Sequence, residues 1–195
     1  MKTDIILAGV GGQGILSIAT ILGAAALEEN LYLKQAEVHG MSQRGGDVQS
    51  NLRISSDPIA SDLIPMGGAD VIISLEPMEA LRYLPYLSKE GWVVTNTVPF
   101  VNIPDYPEIE QINGELSSLP HVVAFDMDAI AKEKASPRAS NMVLLGAATP
   151  FVGLEPEKLE NGIRTIFGRK GEAMVESNLK AFRAGLEIAR KIMNQ

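Results

Sequence analysis

The sequence predicts an α/β protein with three layers, helices covering both faces of a largely parallel sheet. Three observations carry this. Short apolar, β-branched runs alternate with longer runs of helical period. A glycine-rich turn, Gly9-Val-Gly-Gly-Gln-Gly14, follows the first apolar run and opens the first helical one. The 195 residues are 46% hydrophobic and 21% charged, enough for one domain, residues 1–195, with a sizeable core.

Thr3 to Ala8 reads as a buried strand, Gly12 to Glu29 as a helix rich in Ala, Leu and Ile, and Tyr32 to Val38 as a second strand, together one βαβ unit. From Asp47 to Ile54, Val48, Ser50, Leu52 and Ile54 alternate with Gln49, Asn51 and Arg53, which predicts a strand with one wet face. Ala69 to Leu75 and Gly91 to Thr97 are strands joined by a helix over Pro77 to Leu87 that turns Met78, Leu81, Leu84 and Tyr86 to the core. Val98 to Pro120 carries Pro99, Pro104, Pro107 and Pro120. It reads as a surface arm with a short edge strand around Glu110, or as an interface arm. His121 to Phe125 is the next strand, and helices are predicted over Asp126–Ala135, Ala139–Ala148, Glu155–Phe167 and Glu172–Met193. The last is amphipathic, with Val175, Leu179, Phe182, Leu186, Ala189 and Met193 on one face and Glu176–Lys180 and Glu187–Lys191 at i,i+4.

Seventeen basic against twenty-four acidic residues give a net charge of −7, and no basic run is present, so neither nucleic acid nor an anionic membrane is an expected partner. The most apolar stretch, Ile15 to Leu27, is too short to span a bilayer, and a cytoplasmic location is the expectation. With no cysteine, the chain supplies no disulfide, no thiolate nucleophile and no thiolate-held zinc or iron–sulfur cluster.

The turn fits the G-x-G-x-x-G spacing at Gly9, Gly11 and Gly14, with Gly12 and Gln13 between them, and makes the sheet Rossmann-like. Unpaired N–H groups at the following helix start favour a phosphate or carboxylate. Glycines there also serve simply to turn the chain. The second candidate is His39-Gly-Met-Ser-Gln-Arg-Gly-Gly46, a polar loop between two predicted strands in which Ser42, Gln43, Arg44, Gly45 and Gly46 form an anion-contacting set. The competing reading is a tight turn with Arg44 tied to Glu37 or Asp47. Glu37 and His39 are secondary candidates. Glu37 stands near a strand end where a dinucleotide-binding domain places its ribose-reading carboxylate, and His39 is one of two histidines. Asn141, in Ser140-Asn-Met-Val-Leu-Leu-Gly146, is a candidate at a helix start, where capping alone would also explain it. No catalytic or metal-ligating residue is identified.

Taken together, Gly9–Gly14, His39–Gly46 and Ser140–Gly146 resemble, over nearly the whole chain, the gamma-type subunit or domain of the 2-oxoacid:ferredoxin oxidoreductases. The wording of His39–Gly46 is most similar to the small beta subunit of the indolepyruvate branch. The resemblance implies oxidative decarboxylation of an aryl pyruvate to an acyl-CoA, with two electrons passed to ferredoxin. Thiamine diphosphate with Mg would serve the carbon chemistry and iron–sulfur clusters the electrons. This chain lacks cysteine and a Gly-Asp-Gly…Asn diphosphate motif, so the resemblance puts those cofactors on a larger partner subunit. What it leaves to this chain is completing the active-site cleft and holding coenzyme A at the Gly9–Gly14 turn and the Arg44 loop. Asp47 departs from the pattern, which more often has a small hydroxyl residue after the paired glycines. Two other readings stand beside it: a free-standing NAD(P)-binding oxidoreductase, and a purely structural or regulatory subunit docking through Val98–Pro120.

Overall fold

Ile5, Ile6, Leu7 and Ala8 are all fully buried, so the first strand, β1 (Lys2–Val10), is covered on both faces and lies inside the sheet. The computed structural model describes residues 1–39 and 45–194, with His39 by its backbone only. After β1 come α1 (Ile15–Glu28), β2 (Tyr32–His39), β3 (Asp47–Ser55), β4 (Ala69–Ser74), α2 (Pro77–Arg82), β5 (Leu87–Asn96), α3 (Ile109–Ser117), β6 (Val122–Phe125), α4 (Met127–Lys134), α5 (Ser140–Val152), α6 (Pro156–Phe167) and α7 (Glu172–Met193). The sheet order is β2-β3-β1-β4-β5-β6.

β1, β4, β5 and β6 pair in parallel, whereas β3 runs antiparallel to both β1 and β2. The sheet is therefore largely parallel as expected, but β2 is not the neighbour of β1 that a simple βαβ unit implies. Only residues 40–46 join β2 to β3, enough for a hairpin return and too few for a crossover. β3 takes the place beside β1.

One face of the sheet, with Ile5, Leu7, Leu52, Ile54, Val71, Ile73 and Val94, packs under α1, α4, α5, α6 and α7. The other, with Ile6, Ala8, Ile72 and Val93, meets the thinner layer of α2, α3 and Ile64. This gives the three layers. Helix α5 is buried along most of its length because it lies between the sheet and α7. A methyl group on Gly146 would stand 1.9 Å from the Phe182 carbonyl oxygen, and one on Gly185 would stand 2.0 Å from that of Val143, so the two helices touch backbone to backbone.

Three local expectations change. The second face of β3 is not wet: Asn51 is buried and accepts the Ile64 N–H at 3.2 Å. Arg53 on the same face forks onto buried Asp4 at 2.7 and 3.0 Å and donates to the carbonyls of Ser61 and Leu63. The 56–68 loop covers that face because those polar side chains hold its backbone. The stretch around Glu110 is helix, not strand, since Ile112 and Leu116 fall one turn apart on a buried face in the proline-free run between Pro107 and Pro120. Helix α2 stops at Arg82, because Pro85 ends it in a 3-10 turn over Leu84–Tyr86. Its buried side chains are Pro77, Glu79 and Ala80, while Met78 and Leu81 are half-buried. On α7 the predicted face is buried from Val175 to Ala189, but Met193 is 44% exposed, and Glu176 pairs with Arg164 at 3.5 Å instead of Lys180.

Candidate functional site

Strand order reverses direction of growth at β1: the chain goes outward to β2 and β3 on one side and to β4, β5 and β6 on the other. Ligands of open α/β sheets bind at the carboxyl ends of strands beside such a point. A cleft of about 450 Å³ lies there, lined among others by Gly12, Gln13, Leu75, Asn96, Asp128, Arg138 and Asn141.

The glycine turn forms one wall, and its backbone needs explain its composition. Gly12 and Gly14 take φ of 106° and 82°, left-handed conformations that a side chain would strain. A methyl group on Gly9 would meet Gln13 Oε1 and Ile15 Cγ1 at 2.9 Å, and one on Gly14 would meet Asn141 Nδ2 at 2.7 Å. Gln13 lines the cleft, and its side-chain amide is hydrogen-bonded within the chain. Its Oε1 accepts the Val10 N–H at 2.7 Å and its Nε2 donates to the Leu75 carbonyl at 3.4 Å, so it ties the end of β1 to the end of β4. Gly11 likewise donates its N–H to the Gly46 carbonyl at 2.8 Å and accepts from Gly45 at 3.3 Å. The two glycine segments named from the sequence are thus hydrogen-bonded to each other. Asn102 closes the group from the third side, donating to the Gly45 carbonyl at 2.7 Å. Ser42, Gln43, Arg44 and the His39 side chain lie outside the described residues.

Opposite stands the start of α5. Asn141 Nδ2 donates to the Gly14 carbonyl at 3.4 Å, bringing the first turns of α1 and α5 together. Among the described residues, the N–H groups of Ile15, Leu16, Ser140 and Asn141 find no acceptor, leaving two positive helix ends on one cleft. Arg138, exposed on the cleft wall, has no carboxylate partner among the described residues. Asp128 is the one carboxylate lining the cleft among the described residues. It accepts from Asn96 Nδ2 at 2.9 Å and from the Ser140 hydroxyl, while Asn96 Oδ1 accepts the N–H of Met127, the first residue of α4, at 2.9 Å. The arrangement suits an extended anion with polar groups at one end. Sequence reasoning missed Arg138, Asp128 and Asn96. The usable signal for Asn96 was its place at the end of a parallel strand; Arg138 and Asp128 carry no motif.

Glu37 is exposed on β2, and with β3 interposed it stands two strands, about 10 Å, from β1. That position is wrong for the ribose-reading carboxylate of a nicotinamide site, which must lie on the strand next to the glycine turn.

Behind the cleft, Glu76 and Glu79 are each 1% exposed. Glu76 caps α2 by accepting the Glu79 N–H at 2.8 Å and takes the Tyr106 hydroxyl on its other oxygen. Burial, opposed by the Arg82 guanidinium, raises the Glu79 carboxyl above its ordinary range. Burial, then the hydrogen bond to Glu76, raises the Tyr106 phenol, and burial with the nearby Asp47 and Glu79 charges pushes Tyr83 up to about 12. Both phenols therefore keep their protons at neutral pH and serve as fixed donors or apolar bodies.

The family model for pyruvate ferredoxin/flavodoxin oxidoreductase matches residues 4–188. The indolepyruvate oxidoreductase subunit IorB of Pyrococcus horikoshii is 39% identical, covering 98% of this chain and 98% of that one. Among solved structures, the gamma subunit of a keto/oxoacid ferredoxin oxidoreductase from Geobacter sulfurreducens is similar with a TM-score of 0.70 at 25% identity, covering 97% of this chain and 99% of its own. The 2-oxoglutarate:ferredoxin oxidoreductase from Magnetococcus marinus, solved with 2-oxoglutarate, coenzyme A and succinyl-CoA, shares the fold at a TM-score of 0.75 and 24% identity. There the match covers 97% of this chain but 31% of the other, so the fold is part of a much longer chain. With a family match over nearly all its length and a relative 39% identical end to end, the chain belongs to the pyruvate ferredoxin/flavodoxin oxidoreductase family.

Proposed function

We propose that this chain is the small subunit of an indolepyruvate-type 2-oxoacid:ferredoxin oxidoreductase, in which it completes the active-site cleft and holds coenzyme A. The carrying observation is the end-to-end 39% identity to an indolepyruvate oxidoreductase subunit, joined to a cleft whose donors suit phosphate. The overall reaction converts a 2-oxoacid and coenzyme A to an acyl-CoA and carbon dioxide, with two electrons leaving to ferredoxin. Thiamine diphosphate with Mg and iron–sulfur clusters, on a larger subunit, supply the bond cleavage and electron transfer. A chain without cysteine needs another chain for such clusters.

The part taken by this chain is binding and orientation. Arg138 and the first N–H groups of α1 and α5 hold the phosphates of coenzyme A, and Asn141 keeps the two helix starts in register through Gly14. Gly12 lets the ligand approach the backbone, since nothing lies within 4 Å of where its Cβ would be. Ser42, Gln43 and Arg44 belong to the same set by their place between β2 and the Gly45–Gly46 pair that Gly11 binds.

The test is steady-state kinetics of the assembled complex with Arg138→Ala. A hydrogen bond to a charged group contributes about 1.5–3 kcal/mol, or roughly 10- to 100-fold in binding. The KM for coenzyme A should rise by that factor while the KM for the 2-oxoacid stays unchanged. An unchanged KM for coenzyme A would place its phosphates elsewhere.

A further inference from the structure

Beyond β5 the chain crosses the mouth of the cleft as a strap that is apolar on its outside and fastened on its inside. Phe100, Val101 and Ile103 are 46%, 66% and 41% exposed. Between them Asn102 turns inward to the Gly45 carbonyl. Glu76, buried at the start of α2, accepts both the Phe100 N–H at 3.4 Å and the Tyr106 hydroxyl. The strap is thus held at three points, yet it leaves much of its apolar side-chain surface in water. Ordering backbone costs about 1–2 kcal/mol per residue, and apolar groups fixed in water do not offset it.

Carboxylates follow these residues along the chain. Asp105, Glu108 and Glu110 are exposed and have no cationic partner among the described residues. An apolar centre with a charged rim is the anatomy of a protein interface. The inner side of the same strap, Val98, Pro99 and Phe100, lines the ligand cleft. Whatever seats on the outside therefore bears directly on the cleft wall.

We propose that residues 98–106 dock the larger subunit of the oxidoreductase, with Val101 and Ile103 entering an apolar recess whose Lys and Arg rim faces Asp105, Glu108 and Glu110. This rests on the reading that such a subunit is the partner. Charge and continuity with the cleft select that occupant: a subunit sharing the active site must approach at the cleft mouth, and the strap forms that mouth. Docking then fixes the strap's inner residues, so assembly and completion of the ligand site are one event.

The experiment is association of this chain with its co-expressed larger subunit, measured anaerobically by affinity co-purification and by titration. Val101→Asp and Ile103→Asp, both at exposed positions, are compared with Leu27→Asp, an exposed apolar site on α1. Unchanged melting temperatures of the isolated variants confirm that they fold. The strap variants should bind at least about 100-fold more weakly and Leu27→Asp as wild type. Wild-type association should also weaken with added salt, and Glu108→Lys should reproduce that loss at low salt. Strap variants that bind like wild type would overturn the docking surface while leaving the partner in place. A wild-type chain that does not bind the larger subunit would overturn the partner reading, and the docking surface with it.

Discussion

Individual residues around the cleft separate into those whose polar groups are spent on holding the wall and those whose polar groups are left open to the cleft. Gln13 and Gly11 sit in the glycine motif and would be taken for ligand contacts from sequence, but their hydrogen bonds go to Val10, Leu75 and Gly46. A motif marks a sharp turn; it does not say whether the turn's amides face outward or are consumed by a neighbouring loop. Arg138 shows the converse, a cation on the cleft wall with no pattern around it that sequence reasoning can read. Tyr83 yields a pH prediction at this scale. Its phenol is pushed up to about 12 from 10, so the folded chain holds that proton more tightly than the unfolded one. The resulting stabilisation is fully present below pH 10 and is lost as pH rises through about 12. Tyr83→Phe should flatten that alkaline loss in unfolding titrations, and the difference in tyrosinate absorbance between the two proteins should titrate near pH 12. A difference centred near pH 10 would mean that burial and the Asp47 and Glu79 charges do not act on this group.

Elements were legible where a period was long and uninterrupted. The strands β1, β4, β5 and β6 and the helices α1, α6 and α7 fall where alternation or helical spacing puts them, to within a few residues. The differences have two sources: tertiary contact covers the second face of β3, whereas the α3 helix between Pro107 and Pro120 and the early end of α2 before Pro85 follow from local sequence that was readable. The insertion of β3 between β1 and β2 was in principle readable from the short 40–46 connection, because that length excludes a crossover. In the sequence Gly146 stands only as the end of the Ser140–Gly146 segment, and the structure gives it a packing reason. Adding a methyl at 1.9 Å from the Phe182 carbonyl forces α5 and α7 apart along a buried seam. Gly146→Ala should therefore destabilise the chain by about 3 kcal/mol, the upper end for overpacking a core. Thermal or urea unfolding measures it, with Gly114→Ala, on the surface helix α3 where a Cβ meets nothing within 4 Å, as the tolerated control. Equal stabilities would show that the helices can slide apart without loss.

At the scale of the whole molecule, one end of the sheet gathers the parts of the candidate site. The carboxyl ends of β1, β4 and β5, the first turns of α1 and α5, the Gly45–Gly46 pair and the 98–106 strap meet there. The opposite end is occupied by structural ties such as Asp4–Arg53. Family membership was legible from three short segments of sequence, and two of them are now seen to touch, through Gly14 and Asn141. The third, His39–Gly46, reaches the same point through its described end, Gly45 and Gly46. The measurement that tests the account most directly is indolepyruvate-dependent ferredoxin reduction by the larger subunit, assayed anaerobically with and without this chain across a range of coenzyme A concentrations. Turnover that requires both chains and saturates with coenzyme A only when this chain is present is the predicted result. Full turnover by the larger subunit alone, with the same KM for coenzyme A, would contradict the claim that this chain completes the cleft.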